Sequence, residues 1–158
     1  MTNSKIVENS AKAIILDGDR VLLVRYEDST ELRLGTWYSL PGGRQHFGES
    51  IEEALVRECA EELGAEVSAE RLLFVREYIH SRHELRGKGR DQHKVEFMFL
   101  CRLVSGLTPG SSVDTDQEEI VWVSLDDLPS LQIYPTGLRD LKRLLERPGN
   151  SPYWGDSY

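Results

Sequence analysis

No run in this chain is apolar for long enough to cross a bilayer, and its opening residues, MTNSKIVENS, lack the apolar segment of a secretory signal. A cytoplasmic chain with no membrane partner is the expectation. Basic residues are in deficit: 19 Lys and Arg against 27 Asp and Glu leave a net charge of −8. Broad binding to DNA needs surface cations that displace phosphate counterions, so that class is disfavoured. Cysteine is scarce, and Cys59 and Cys101 resemble neither a disulfide framework nor a zinc cluster. Both fall in apolar patterns and read as small buried thiols. His80, His83 and His93 lack a metal-binding spacing. No repeat or linker divides the 158 residues, so residues 1–158 are expected to form one domain with a real core.

What is present is concentrated between Gly43 and Ala65, GRQHFGESIEEALVRECAEELGA. Ser50 followed by Glu53 is a capping box that predicts a helix start at Ser50, and Gly64 is suited to end that helix in the left-handed conformation. Glu58, Glu61 and Glu62 then share an arc of roughly 100°. Leu55, Val56, Cys59 and Leu63 lie on another arc. Like charges three and four apart repel by a few tenths of a kcal/mol per pair, and Arg57 offsets only part of this or reaches back to Glu49. Two readings follow from the residues alone. One is a solvated acidic face, the usual meaning of a charge run. The other is a site for hard divalent cations, which prefer carboxylate oxygens.

The spacing separates them. Gly43, Glu49, Arg57, Glu58, Glu61, Glu62 and Gly64 match a glycine, five residues, a glutamate, seven residues, then Arg-Glu-apolar-x-Glu-Glu-x-Gly-apolar, with Cys59 and Ala65 in the apolar slots. This resembles the box of the Nudix (MutT-like) family over residues 43–65, and Leu40-Pro41-Gly42-Gly43 resembles its usual lead-in. The Trp122-x-x-Leu125-Asp126-x-Leu128-Pro129 pattern is similar to the end of many Nudix domains.

Elsewhere the chain reads mainly as strands. Ala11 to Ile15 and Val21 to Tyr26 form a hairpin about Asp17-Gly18-Asp19. Glu27 to Gly35 is a loop, and Thr36 to Leu40 is a strand delivering Pro41-Gly42-Gly43. Leu72 to His80, His93 to Leu103 and Glu119 to Ser124 are further strands. They are separated by a basic loop, Ser81 to Gln92, and a second loop, Val104 to Gln117. Leu138, Leu141, Leu144 and Leu145 make an apolar stripe on a helix opened by Pro135 or Thr136. Pro148 to Tyr158 is a polar tail bearing aromatics, either disordered or docked on a partner subunit. Periodicity supports a mixed α and β chain. The resemblance implies more: an α/β class fold, a Nudix α/β/α sandwich with a mixed β-sheet between helices.

The resemblance also implies an activity, which is hydrolysis of a diphosphate linkage in a nucleoside diphosphate joined to another moiety. Water attacks phosphorus with Mg2+, or Mn2+, carrying much of the electrostatics. It implies Glu58, Glu61 and Glu62 as metal ligands, with the Gly42 carbonyl joining them and Glu58 a candidate base. Arg57 and Glu49 are orienters that pair at the loop–helix junction. An acid outside the box assists in many such enzymes; Glu118 is the first candidate, followed by Glu119 and Glu96. Solvated loop carboxylates, or for Glu96 a cross-strand pair with a cation, are the plain alternatives. Arg44, His46, Arg76 and Tyr134 are candidates for contacting a small nucleotide substrate, as are Trp37 and the loop cations Arg82, Arg86, Lys88 and Arg90. The segments REYI and HKVEFMFLC are similar to the ADP-ribose pyrophosphatase branch, which makes ADP-ribose or a nucleotide sugar the first substrate expectation. Oxidised nucleoside triphosphates are the second. A nucleotide sensor without catalysis is a third reading, disfavoured because the box acids are retained. Homodimers are common in the family, and Tyr153, Trp154 and Tyr158 offer a surface for one.

Overall fold

The computed structural model describes residues 5–28, 35–83, 90–107 and 117–158, the side chains of Asp28, Gln117 and Glu118 excepted. Its longest helix, α1 (Ile51–Leu63), begins where the sequence predicts. The Ser50 hydroxyl accepts the Glu53 amide at 3.1 Å, and the Ser50 amide donates to the Glu53 carboxylate at 2.7 Å. Gly64 closes the helix at φ 63°, its amide donating to the Ala60 carbonyl. Leu55, Cys59 and Leu63 are fully buried, each large aliphatic contributing about 1.5–3 kcal/mol to stability.

Among the described residues nine strands form the sheet: β1 (Val7–Asp17), β2 (Arg20–Asp28), β3 (Gly35–Ser39), β4 (Gly42–Arg44), β5 (Val67–Ile79), β6 (His93–Leu103), β7 (Gln117–Ser124), β8 (Ile133–Tyr134) and β9 (Tyr153–Asp156). Their order is β8-β3-β2-β1-β6-β5-β9, with β4 also on β1 and β7 also on β2. The sheet is mixed. The β1–β6, β3–β8 and β5–β9 pairs are parallel and the others antiparallel. β1 meets β2 only at Leu16–Val21 and Asp17–Arg20, yet pairs with β6 from Val7 to Ile15. The hairpin therefore joins two blades of sheet.

Alternation along β1 explains the layers. Ala11, Ala13 and Ile15 face Leu55, Cys59 and Leu63 of α1. Ile14 points the other way, into a second core with Leu23, Phe74, Met98, Leu138 and Leu141. The C-terminal stripe packs there as a 3-10 turn over Thr136–Asp140 followed by α2 (Leu141–Glu146), so the α/β/α sandwich is complete. Both cysteines are buried and free. Burial raises the Cys59 thiol far above its ordinary range and pushes Cys101 up to about 12, so neither is a ready nucleophile.

Two expectations are corrected. The strands are longer than the apolar runs, because polar residues such as Glu8 and Asn9 pair in the ladder as readily as apolar ones. The tail is not disordered but forms part of the fold. β9 runs along β5 of its own chain, and Trp154 packs on Phe74 with ring centroids 4.5 Å apart. Gly137 makes room for that indole: a Cβ there would stand 2.9 Å from the ring. The Thr136 amide and hydroxyl then donate to the Tyr158 main-chain oxygen at 2.7 and 2.6 Å. The tail thus ties the β9 edge of the sheet to the chain just beyond β8, the opposite edge.

Candidate active site

The acidic turn of α1 is built around Arg57. Its guanidinium grips both carboxylate oxygens of Glu49, one contact at 3.0 Å, and donates to Glu58 at 2.9 Å and to the Arg44 carbonyl at 2.9 Å. Glu61 lies 3.4 Å away, one turn along. The side chain of Glu49 also accepts the His46 amide at 2.8 Å. Hydrogen bonds from Arg57 and then from His46 hold the Glu49 carboxyl down at about 2. Arg57 is held above its ordinary value by the same partner. The pair fixes the loop from Arg44 to Glu49 against the first turns of the helix.

The other half of the site is the double glycine. Gly42 sits at φ 133°, and a Cβ on it would fall 2.0 Å from the Ala11 carbonyl oxygen, so only glycine lets β4 pair here with β1. Its amide donates to Glu62 at 3.1 Å. A Cβ on Gly43 would fall 2.4–2.7 Å from the carboxylate atoms of Glu58. The bare backbone therefore lets Glu58 and Glu62, one helical turn apart, lie against the glycine loop.

The donors fit a hard cation. They are carboxylate oxygens on one face of a fixed helix, and the cradle at Gly43 would be filled by any larger residue. Among the described residues no three His, Cys, Asp or Glu side chains are gathered in a group that could hold an ion as they stand. An ion held there would have to compete with Arg57 for Glu58 and Glu61.

The remaining candidates are distributed unevenly. Arg44 gives its carbonyl to Arg57, while its exposed side chain reaches Glu8 at 3.5 Å. His46 is exposed and uses its main chain. Tyr134 meets Trp37 and Tyr158 edge-on, at 6.0 and 5.0 Å between centroids. Arg76 is not a free phosphate contact: it is buried, in register with Glu96 and bonded to it at 2.6 Å, and it also donates to the Ser157 carbonyl. Glu96 is accordingly the cross-strand partner of a cation. Glu119 is exposed on β7, opposite Arg25. The side chain of Glu118, and Arg86 and Lys88, lie outside the described residues. Arg90 pairs with Glu8 at 3.1 Å, and Arg82 approaches Asp156 at 3.9 Å. His83 bonds Asp156 at 2.7 Å and stacks on Tyr78.

Two residues escape the sequence reading. Lys12 interrupts the apolar run Ala11 to Ile15, and Lys94 precedes Glu96 by two positions in β6. A single cation inside an otherwise buried strand is the signal that would have found Lys12; Lys94, at the half-buried start of a strand that also carries Arg102, has none.

A capped helix whose acids abut a double-glycine strand, in a mixed sheet between helices, defines a class, and the comparisons name it. The NUDIX domain model matches residues 8–145, and the chain belongs to the Nudix family. It is 36% identical over 129 residues to human "8-oxo-dGDP phosphatase NUDT18", covering 81% of this chain and 34% of that protein. It is 28% identical over 124 residues to the "ADP-ribose pyrophosphatase" of Methanocaldococcus jannaschii, covering 75% of this chain and 66% of that one. The chain spans about a third of the length of the first curated relatives it matches. A Nudix hydrolase from Nitrosomonas europaea superposes with a TM-score of 0.72 at 21% identity, over 93% of each chain, and shows the fold.

Proposed function

We propose that this protein hydrolyses a diphosphate linkage in a nucleoside diphosphate derivative, using Mg2+, with Mn2+ as a substitute. Glu58, Glu61 and Glu62 would hold the cation together with the Gly42 carbonyl. The observation that carries the proposal is the anchoring of Glu58 and Glu62 on the glycine loop, with Arg57 balancing the charge of the turn. When bound, the cation neutralises the diphosphate and acidifies water.

The chain's own groups do the rest. Arg57 and Glu49 keep the carboxylates oriented. Glu58, or Glu118 from outside the box, accepts the proton of the attacking water. Its oxygen bonds to phosphorus, the bridging P–O bond breaks, and the linkage is divided by the elements of one water molecule. Arg44, His46 and Tyr134 are the proposed substrate contacts. Arg76, bonded to Glu96 at 2.6 Å, acts from the sheet as a positioning residue.

For the substrate, ADP-ribose or a nucleotide sugar is one reading, and the ADP-ribose pyrophosphatase relative favours it. An oxidised purine nucleotide is the other, supported by the NUDT18 relatives, which are named as 8-oxo-dGDP phosphatases. The test is a product-release assay on ADP-ribose, 8-oxo-dGDP and 8-oxo-dGTP, with and without Mg2+ or Mn2+, beside Glu61→Gln. Metal-dependent cleavage of one substrate, lost in the variant, is expected. Binding across the panel with no cleavage at saturating metal would make the protein a sensor instead. Among the described residues no helix is long and apolar enough to cross a membrane. The aromatic tail, being used within the chain, gives a homodimer no support.

A further inference from the structure

On the side of the sheet that faces α2, core residues give way to charge on three neighbouring strands, one row earlier on β1 than on β6 and β5. Two residues before Ile14 on β1 stands Lys12; two before Met98 on β6 stands Glu96; two after Phe74 on β5 stands Arg76. One step further lie Ser10 on β1 and Lys94 on β6, and the register aligns Ser10, Glu96 and Arg76 in one row. All three of that row are buried, each at 6% exposure. Lys12 is in register with Gly42 on β4, and its ammonium reaches the Leu40 carbonyl at 3.4 Å. The row therefore begins beside the loop whose Gly42 amide holds Glu62.

Charge does not balance there. Burial opposes ionisation of Glu96, yet Arg76, Lys12 and Lys94 hold its carboxyl below the usual range, so it is charged. One carboxylate faces three cations, 3 − 1 = +2. Burial, then repulsion by Lys12, lowers the Lys94 ammonium. Glu8 also faces Lys94, but it is shared with Arg44 and Arg90. A half-buried surplus of one sign is costly unless an opposite charge or water meets it. A chain of net charge −8 has placed that surplus next to its acidic turn.

We infer that Lys12 and Lys94, on either side of the Arg76–Glu96 pair, form an anion subsite that seats a phosphoryl group of the substrate while the acidic turn serves the neighbouring one. Naming the ligand as part of a diphosphate rests on the hydrolase proposal; the subsite itself rests on the charge pattern. Glu96 and the Ser157 carbonyl fix the Arg76 guanidinium, so Arg76 is a positioning residue. The Lys12 ammonium has a long contact, 3.4 Å to the Leu40 carbonyl, and Lys94 is half-buried two residues from Glu96.

The experiment uses Lys12→Met and Lys94→Met, which remove charge and retain an apolar stem, and Lys142→Met on α2 as the control. Inorganic pyrophosphate is titrated in EDTA and followed by Tm. KM and kcat are measured at saturating Mg2+ on the best substrate of the panel. Each lysine variant is expected to bind pyrophosphate about tenfold or more weakly, as for loss of a hydrogen bond to a charged group. KM should rise by a similar factor with kcat within about twofold, and the control should match the wild type. Equal pyrophosphate protection of all proteins together with unchanged KM would overturn the subsite and leave the hydrolase standing. Loss of protection in the control as fully as in the lysine variants would also overturn it. A wild type that binds pyrophosphate through these lysines but cleaves nothing would keep the subsite and remove the hydrolase.

Discussion

Glu62 accepts the amide of Gly42 at 3.1 Å, so the acidic turn and the glycine loop move as one hydrogen-bonded unit. Replacing Glu62 by Gln leaves an oxygen for that amide but removes the charge needed by a cation. The fold should persist, with turnover reduced by roughly a hundredfold or more, beyond the 10–100-fold typical of residues that merely support a metal ligand. Near-normal turnover at saturating Mg2+, with Tm unchanged, would refute the role.

The two glycines should fail differently. Gly43→Ala meets the movable end of Glu58, so the fold should hold within a few degrees of Tm while turnover falls steeply. Gly42→Ala meets the rigid Ala11 carbonyl at φ 133° and should lose stability outright. Thermal melts and rates on both variants decide it; equal loss of Tm in the two would contradict this assignment.

Glu49 gives the fold a pH dependence of known sign. Its carboxyl is lowered from 4.5 to about 2 by Arg57 and the His46 amide, so its contribution is present above about 4.5 and disappears as pH falls toward 2. Melts of wild type and Glu49→Gln between pH 6 and about pH 2 should converge as acid is added. Curves that stay parallel would show that the pair contributes nothing.

Within the buried row, the two partners are not equivalent. Arg76→Met leaves Glu96 with Lys12 and Lys94 nearby, whereas Glu96→Gln leaves cations facing each other. Glu96→Gln should therefore be the more destabilising of the two, its own cost about 3–5 kcal/mol in denaturant titration. The reverse order would mean that the lysines do not reach the carboxylate.

Trp154→Ala tests the tail. The indole is half-buried against Phe74, so about 2–3 kcal/mol should be lost, below the range for a fully buried aromatic. Amide exchange at Val75 and Ser157, which bond the Pro152 and Glu77 carbonyls, should accelerate in step. Unchanged exchange would show that the strand forms without the indole.

Much of the site is written locally. The Ser50–Glu53 box, the Gly64 cap and the pairing of Arg57 with Glu49 join residues close in the chain, and spacing alone brings such groups together. The same holds for the helix face that carries Glu58, Glu61 and Glu62. Alternation likewise tells which face of a strand is apolar, so β1 and β6 are legible as elements. It does not tell which strand lies beside which. Arg76 meeting Glu96, Lys12 reaching the charge beside them, and an aromatic tail pairing with β5 are all settled by register between distant segments. Residue order determined a capped acidic helix behind two glycines; only packing of the blades decided that its neighbour is a cationic floor, because strand pairing depends on the energy of the whole sheet.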